Sequence, residues 1–146
     1  MASGRVASPA EADEGVRGST AVTGAWRALI SAKVASWNAL ERELGERHGL
    51  GVSDFEVLDR LAEKPGHSYR AQDLAEVVHL SQSALSRLTD RLERHGLVCR
   101  GSCDTDRRGV YVELTQAGAR KHEEALPTQQ EILSRTLPPG LIAQFE

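Results

Sequence analysis

The chain has 146 residues, 40% of them hydrophobic and 27% charged, with a formal net charge of −3. That length suits one domain, or one compact unit with a tail, and buries enough surface to fold without disulfides or a metal. Two cysteines are too few for a secreted disulfide framework, and no apolar run approaches the roughly 20 residues needed to span a bilayer. The expected address is the cytoplasm, with no membrane partner.

The first residues, MASGRVASPAEADEGVRGST, lack the apolar core of a signal peptide and are rich in Ala, Gly, Ser and Glu. Residues 1–22 therefore read as a disordered N-terminal tail. From residue 23 to 48 a helical period sets in: Trp26, Leu29, Ile30, Val34, Trp37, Leu40 and Leu44 recur at steps of three and four. His48-Gly49 closes this helix, whose length exceeds what a small core needs and suits an interface. Ser53 is the expected N-cap of a second helix buried through Phe55, Val57, Leu58, Leu61 and Ala62, and Pro65-Gly66 ends it.

A short extended piece around Ser68-Tyr69 leads to a third helix over residues 71–78, and His79-Leu80 turns the chain. Ser81 caps a fourth helix with Leu85, Leu88 and Leu92 inward, and Gly96 stops it. Residues 97–103 and 110–114 read as two strands joined by a charged loop carrying Asp106-Arg107-Arg108. Thr115 caps a fifth helix, which Pro127 should kink or divide. Pro138-Pro139 opens a last helix. The fold class that results is mainly α with a small β-wing, a winged helix-turn-helix over residues 51–114. Residues 23–50 and 115–146 supply helices for dimerisation.

Charge distribution says more than its sum. Between Ser81 and Gly109 the chain carries Arg87, Arg91, Arg94, Arg100, Arg107 and Arg108 against Asp90, Glu93, Asp104 and Asp106, a net positive segment in an acidic protein. With the leucines inward, Gln82, Ser83, Ser86, Arg87 and Asp90 face out. Gln82 is suited to adenine and Arg87 to guanine, and the serines are short enough for the helix to seat in a major groove. The capped N-terminus at Ser81 offers N–H groups to a phosphate, and Arg91 extends the basic face. In the loop, Asp106 is spaced to hold Arg108 in one pose for a narrow minor groove, while Arg107 meets phosphate. The alternative is a solvated helix face and a surface turn. It accounts for any single polar residue but not for the turn, capped helix and wing arriving in order.

Residues 52–118 resemble the multiple antibiotic resistance regulator (MarR) family of bacterial transcription factors. The resemblance is carried by DLAEVVHLSQSALSRLTDRLERHGLV, then DTDRRG, then YVELTQAG. It extends more weakly to the first and fifth helices. It implies a homodimer on a pseudo-palindromic double-stranded operator, usually as a repressor, with the family's wing arginine at Arg108. It also implies that the first and last helices interlace with those of a second subunit. The final helix, ending at Glu146, is shorter than that pattern. Many similar proteins release DNA when a small phenol or aromatic acid fills a crevice. Trp26, Trp37, His48 and Phe55 are candidates for its lining, with core or interface packing as the other reading of each.

No cofactor or metal is expected. The five histidines show no ligand spacing, and GxGxxG, P-loop, HExxH and GxSxG patterns are missing from the sequence, which argues against an enzyme. Cys99 and Cys103 lie about 13 Å apart along one strand, too far to bond each other. Zinc ligation with His95, an intersubunit disulfide and plain packing remain open for them. A winged helix used only for protein contacts is the remaining rival, and it has no need of an outward Gln82, Ser83, Ser86 and Arg87.

Overall fold

The structure is a computed structural model that describes residues 9–101 and 111–146. Its first helix, α1 (Pro9–His48), starts well before the expected residue 23, so residues 9–22, read from composition as a tail, are helical. Proline suits the first position of a helix, and the Ala- and Glu-containing stretch after it favours helix without any apolar stripe. Periodicity, which marks buried faces, is blind to such a segment. Between Thr20 and Ile30 the side chains of α1 are exposed, whereas Leu40 and Leu44 are buried.

Gly49 ends α1 with φ 66°, the left-handed conformation that a glycine adopts without a steric penalty. The second helix, α2 (Val52–Glu63), is capped at Gly51 and not at the expected Ser53. Two carboxylates take its free N–H groups. Gly51 N–H donates to Asp54 Oδ2 and Val52 N–H to Glu41 Oε1, each at 2.8 Å. Phe55, Val57, Leu58 and Leu61 form its buried face, as the sequence leads one to expect.

Next come β1 (Ser68–Arg70), α3 (Ala71–Val77), α4 (Gln82–Arg94), β2 (Val98–Arg100) and β3 (Tyr111–Leu114). The extended piece expected around Ser68-Tyr69 is thus a strand in its own right. The sheet is antiparallel in the order β1-β3-β2, with Ser68 opposite Glu113 and Val98 opposite Leu114. Helices α2, α3 and α4 close over it. Leu58, Leu74, Leu85, Leu92, Val98 and Val112 make one continuous core with the C-terminal half of α1 and with α5 (Gln116–Thr136). This is the mainly helical winged-helix architecture read from the sequence.

The Thr115 hydroxyl caps α5, accepting from Gly118 N at 3.0 Å and donating to Gly96 O at 2.6 Å. Pro127 does not divide α5, which runs unbroken through it. At the start of α5, Gly118 is required by a close approach: a Cβ there would lie 2.0 Å from the Leu97 carbonyl oxygen. Along the seam with α1, Ser36 donates to Thr136 Oγ1 at 2.8 Å and Thr136 to Ile132 O at 2.8 Å. A short helix, α6 (Pro139–Ile142), follows as expected.

Candidate nucleic-acid interface

Helix α4 begins where its sequence says it should. The Ser81 hydroxyl accepts from Ala84 N–H at 3.1 Å, satisfying one of the unpaired donors of the first turn. His79 makes the tight turn before it, with φ 56°. Leu85, Leu88 and Leu92 are buried, and Gln82, Ser83, Ser86, Arg87 and Asp90 are exposed. The expected division of α4 into an inner and an outer face therefore holds residue by residue.

Among the outward residues, Arg87 makes no ion pair with any described residue, so its charge is open to solvent. Arg91 is engaged differently. Its guanidinium pairs with the buried Asp54, whose other oxygen caps α2, so Arg91 ties α4 to α2. Asp54 side-chain burial makes this tie expensive to break, since a carboxylate removed from water needs its partner.

Arg100 is not singled out by sequence reasoning, yet it sits against the outer face of α4. It donates to Ser86 O at 2.7 Å and Ser86 Oγ at 3.2 Å, and pairs with Asp90. The signal that points to it is the presence of acids, Asp90 and Glu93, inside an otherwise basic segment. Glu93 accepts from the Arg100 backbone N–H at 2.8 Å. Asp106, Arg107 and Arg108, with Cys103, lie outside the described residues.

The four expected ligand-lining residues are not brought together. Phe55 is in the core, stacked on His122 at 5.5 Å between ring centroids, and His122 pairs with Asp59 at 2.7 Å. His48 bonds Thr128 Oγ1 at 2.8 Å beside α5. Trp26 and Trp37 stand on the exposed side of α1 with Leu29, Ile30 and Val34, an apolar stripe uncovered by the other described residues. Trp37 also borders a crevice with Lys33, Ser53, Glu56 and His79, between α1 and the helix-turn-helix. Glu56 hydrogen-bonds Arg60 at 3.0 Å and raises its pKa above the ordinary value.

Cys99 is half-buried, its sulfur 3.8 Å from Glu113 Oε2. Among the described residues no cluster of His, Cys, Asp or Glu is arranged to hold a metal, and no described helix is long and apolar enough to cross a membrane.

A helix-turn-helix, α3 and α4, inserted between the first and second strands of a three-stranded antiparallel sheet defines the winged-helix class. Residues 50–110 match the MarR family model. The transcriptional repressor MprA of Escherichia coli is 31% identical over 85 residues, 58% of this chain and 48% of MprA. The chain thus spans about half the length of the curated relatives it matches first. Among solved structures, AbsC from Streptomyces coelicolor superposes with a TM-score of 0.72 at 28% identity, covering 97% of this chain and 90% of AbsC. Sco3205 from the same organism, solved in complex with DNA, gives 0.73 at 27% identity over 84% of this chain and 82% of its own. Both are MarR-family transcriptional regulators. Over residues 50–110 and in its fold the chain is similar to the MarR family, and these relatives are regulators of transcription.

Proposed function

We propose that this protein is a homodimeric transcriptional regulator that binds a pseudo-palindromic double-stranded operator and represses from it. The observation that carries the reading is the outer face of α4, where Gln82, Ser83, Ser86 and Arg87 are exposed behind the Ser81 cap. A helix so presented matches the docking of a recognition helix in the major groove. Ser81 meets phosphate and Arg87 a guanine, while the loop bearing Asp106, Arg107 and Arg108 reaches the adjacent minor groove. Arg91 acts through its tie to Asp54, setting the seat of α4.

The uncovered stripe on α1 supports the dimer. Trp26 is 61% exposed, Val34 52% and Trp37 43%, an apolar surface that a second copy would cover. A two-fold dimer presents two copies of α4, which explains a palindromic site. Residues 23–50 and 115–146 serve that interface, and residues 51–114 read DNA. The crevice beside Trp37 has an aromatic wall and the Lys33 ammonium, chemistry that suits a small aromatic acid as the releasing effector.

Fragments of the source genome, incubated with the protein at low salt and then footprinted, test the reading. Retention of a defined site is expected, with log K falling by about 0.9 per phosphate neutralised as log salt rises. Retention of no fragment, or a flat salt dependence, overturns it.

A further inference from the structure

Four arginines stand on or beside the outer surface of α4, and the fold itself uses two of them. Arg91 pairs with the buried Asp54, while Arg100, from β2, pairs with Asp90 and donates to Ser86 O at 2.7 Å. Arg87 and Arg94 are exposed and make no ion pair with any described residue. For Arg94 this is not the simplest local arrangement. Asp90 precedes it by four positions, the spacing and order at which a helical acid and base attract each other. Arg100 takes that acid instead. Glu93, the acid next to Arg94, accepts from the Arg100 backbone N–H at 2.8 Å. Both acids of this part of α4 are thus engaged by β2, and the Arg94 charge is left to the outside.

Arg94 follows Arg87 by seven residues, so the two lie within about 20° of each other around the helix axis and about 10 Å apart along it. Ser83, one turn before Arg87, begins the same stripe, turned away from the buried Leu85, Leu88 and Leu92. With its 13 residues α4 is about 20 Å long, whereas a major groove is about 12 Å wide. A recognition helix seats its N-terminal half against the bases. Its last turn is then carried out to the phosphates that border the groove, and the open cation of that turn is Arg94.

We infer that Arg94 contacts a phosphate of the DNA backbone and so grips the C-terminal end of the recognition helix, while Arg87 meets the base. The inference rests on the operator-reading role of α4 and adds where that helix is held. A phosphate contact carries no sequence information, but it neutralises one charge and releases counterions. The other use of a cation in a last turn is to oppose the helix dipole, which shows in stability and not in salt dependence.

The test is titration of the retained genomic site at several salt concentrations with the wild type, Arg94→Ala and Arg94→Lys, joined to selection from a library randomised around that site. Arg94→Ala is expected to lower the slope of log K against log salt by about 0.9 for each subunit, about 1.8 for a dimer. Between 50 and 200 mM salt the variant then loses about 12-fold less affinity than the wild type. Its selected sequences should match those of the wild type, and Arg94→Lys, which keeps the charge, should restore the slope. Should Arg94→Ala not fold, Arg94→Gln decides the matter, because it removes the charge and keeps a long polar side chain. An unchanged slope, with or without a lower melting temperature, overturns the inference and leaves operator binding intact. A changed selection profile overturns it too, since Arg94 would then meet a base. A wild type that retains no DNA overturns the operator reading and this inference together.

Discussion

The winged unit and the N-terminal half of α1 are built on opposite terms. In the winged unit Phe55, Leu58, Leu74, Leu85 and Leu92 are each at most 2% exposed, and where α5 meets it even the Gly118 hydrogen has a carbonyl against it. Along α1 from Val22 to Trp37 the large apolar side chains lie open, and a Cβ added at Gly18 or Gly24 would meet nothing within 4 Å. One region is completed by its own chain. The other is left open among the described residues, and the proposed dimer would cover it, which would account for a helix of 40 residues.

The largest effect should come from charging that open surface. Ile30→Glu with Val34→Glu is expected to give a monomer by sedimentation and to weaken operator binding by at least about 100-fold, since two linked α4 copies bind far better than one. Its winged unit should melt as before. A dimer that survives the pair would break the comparison.

Glycine substitutions sharpen it. Gly118→Ala should cost about 3 kcal/mol in denaturant unfolding, because the new methyl overlaps the Leu97 carbonyl and Leu114 Cδ1. Gly24→Ala, in the open helix, should instead stabilise by up to about 1 kcal/mol. Arg87→Ala should lower operator affinity by about 1–3 kcal/mol in titration while leaving the melting temperature unchanged. A change as small as that of Gly24→Ala is expected from Thr89→Val. The Thr89 hydroxyl is buried with no hydrogen-bond partner among the described residues, so the isosteric apolar side chain should add about 1 kcal/mol of stability.

What is legible in the sequence follows the range of the interactions. The cap at Ser81, the inward leucines of α4 and the stop at Gly96 are set by residues within a turn of each other, and each stands where it is expected. The cap of α2 escapes such reasoning because Glu41, on another helix, supplies part of it, and Asp54 competes better than Ser53 for the free N–H groups. Arg91 and Arg100 are visible only as basic residues. Their partners, Asp54 and Ser86 with Asp90, are 37, 14 and 10 positions away; the acids within the basic segment hint at a pair for Arg100, but no local pattern says which residues meet. The scattering of Trp26, Trp37, His48 and Phe55 has the same origin: aromatic type says nothing about which side of a helix faces which neighbour.

Gly118 brings the first turn of α5 directly against the strand-side backbone at Leu97, with no side chain between them to act as a cushion. The 21-residue helix and the base of the hairpin are thereby joined like a crank to its shaft. At 1.5 Å per residue the arm is about 31 Å long, so a tilt of about 5° pivoted at its far end carries the hairpin base through about 3 Å. That is nearly the spacing of one base pair along a duplex.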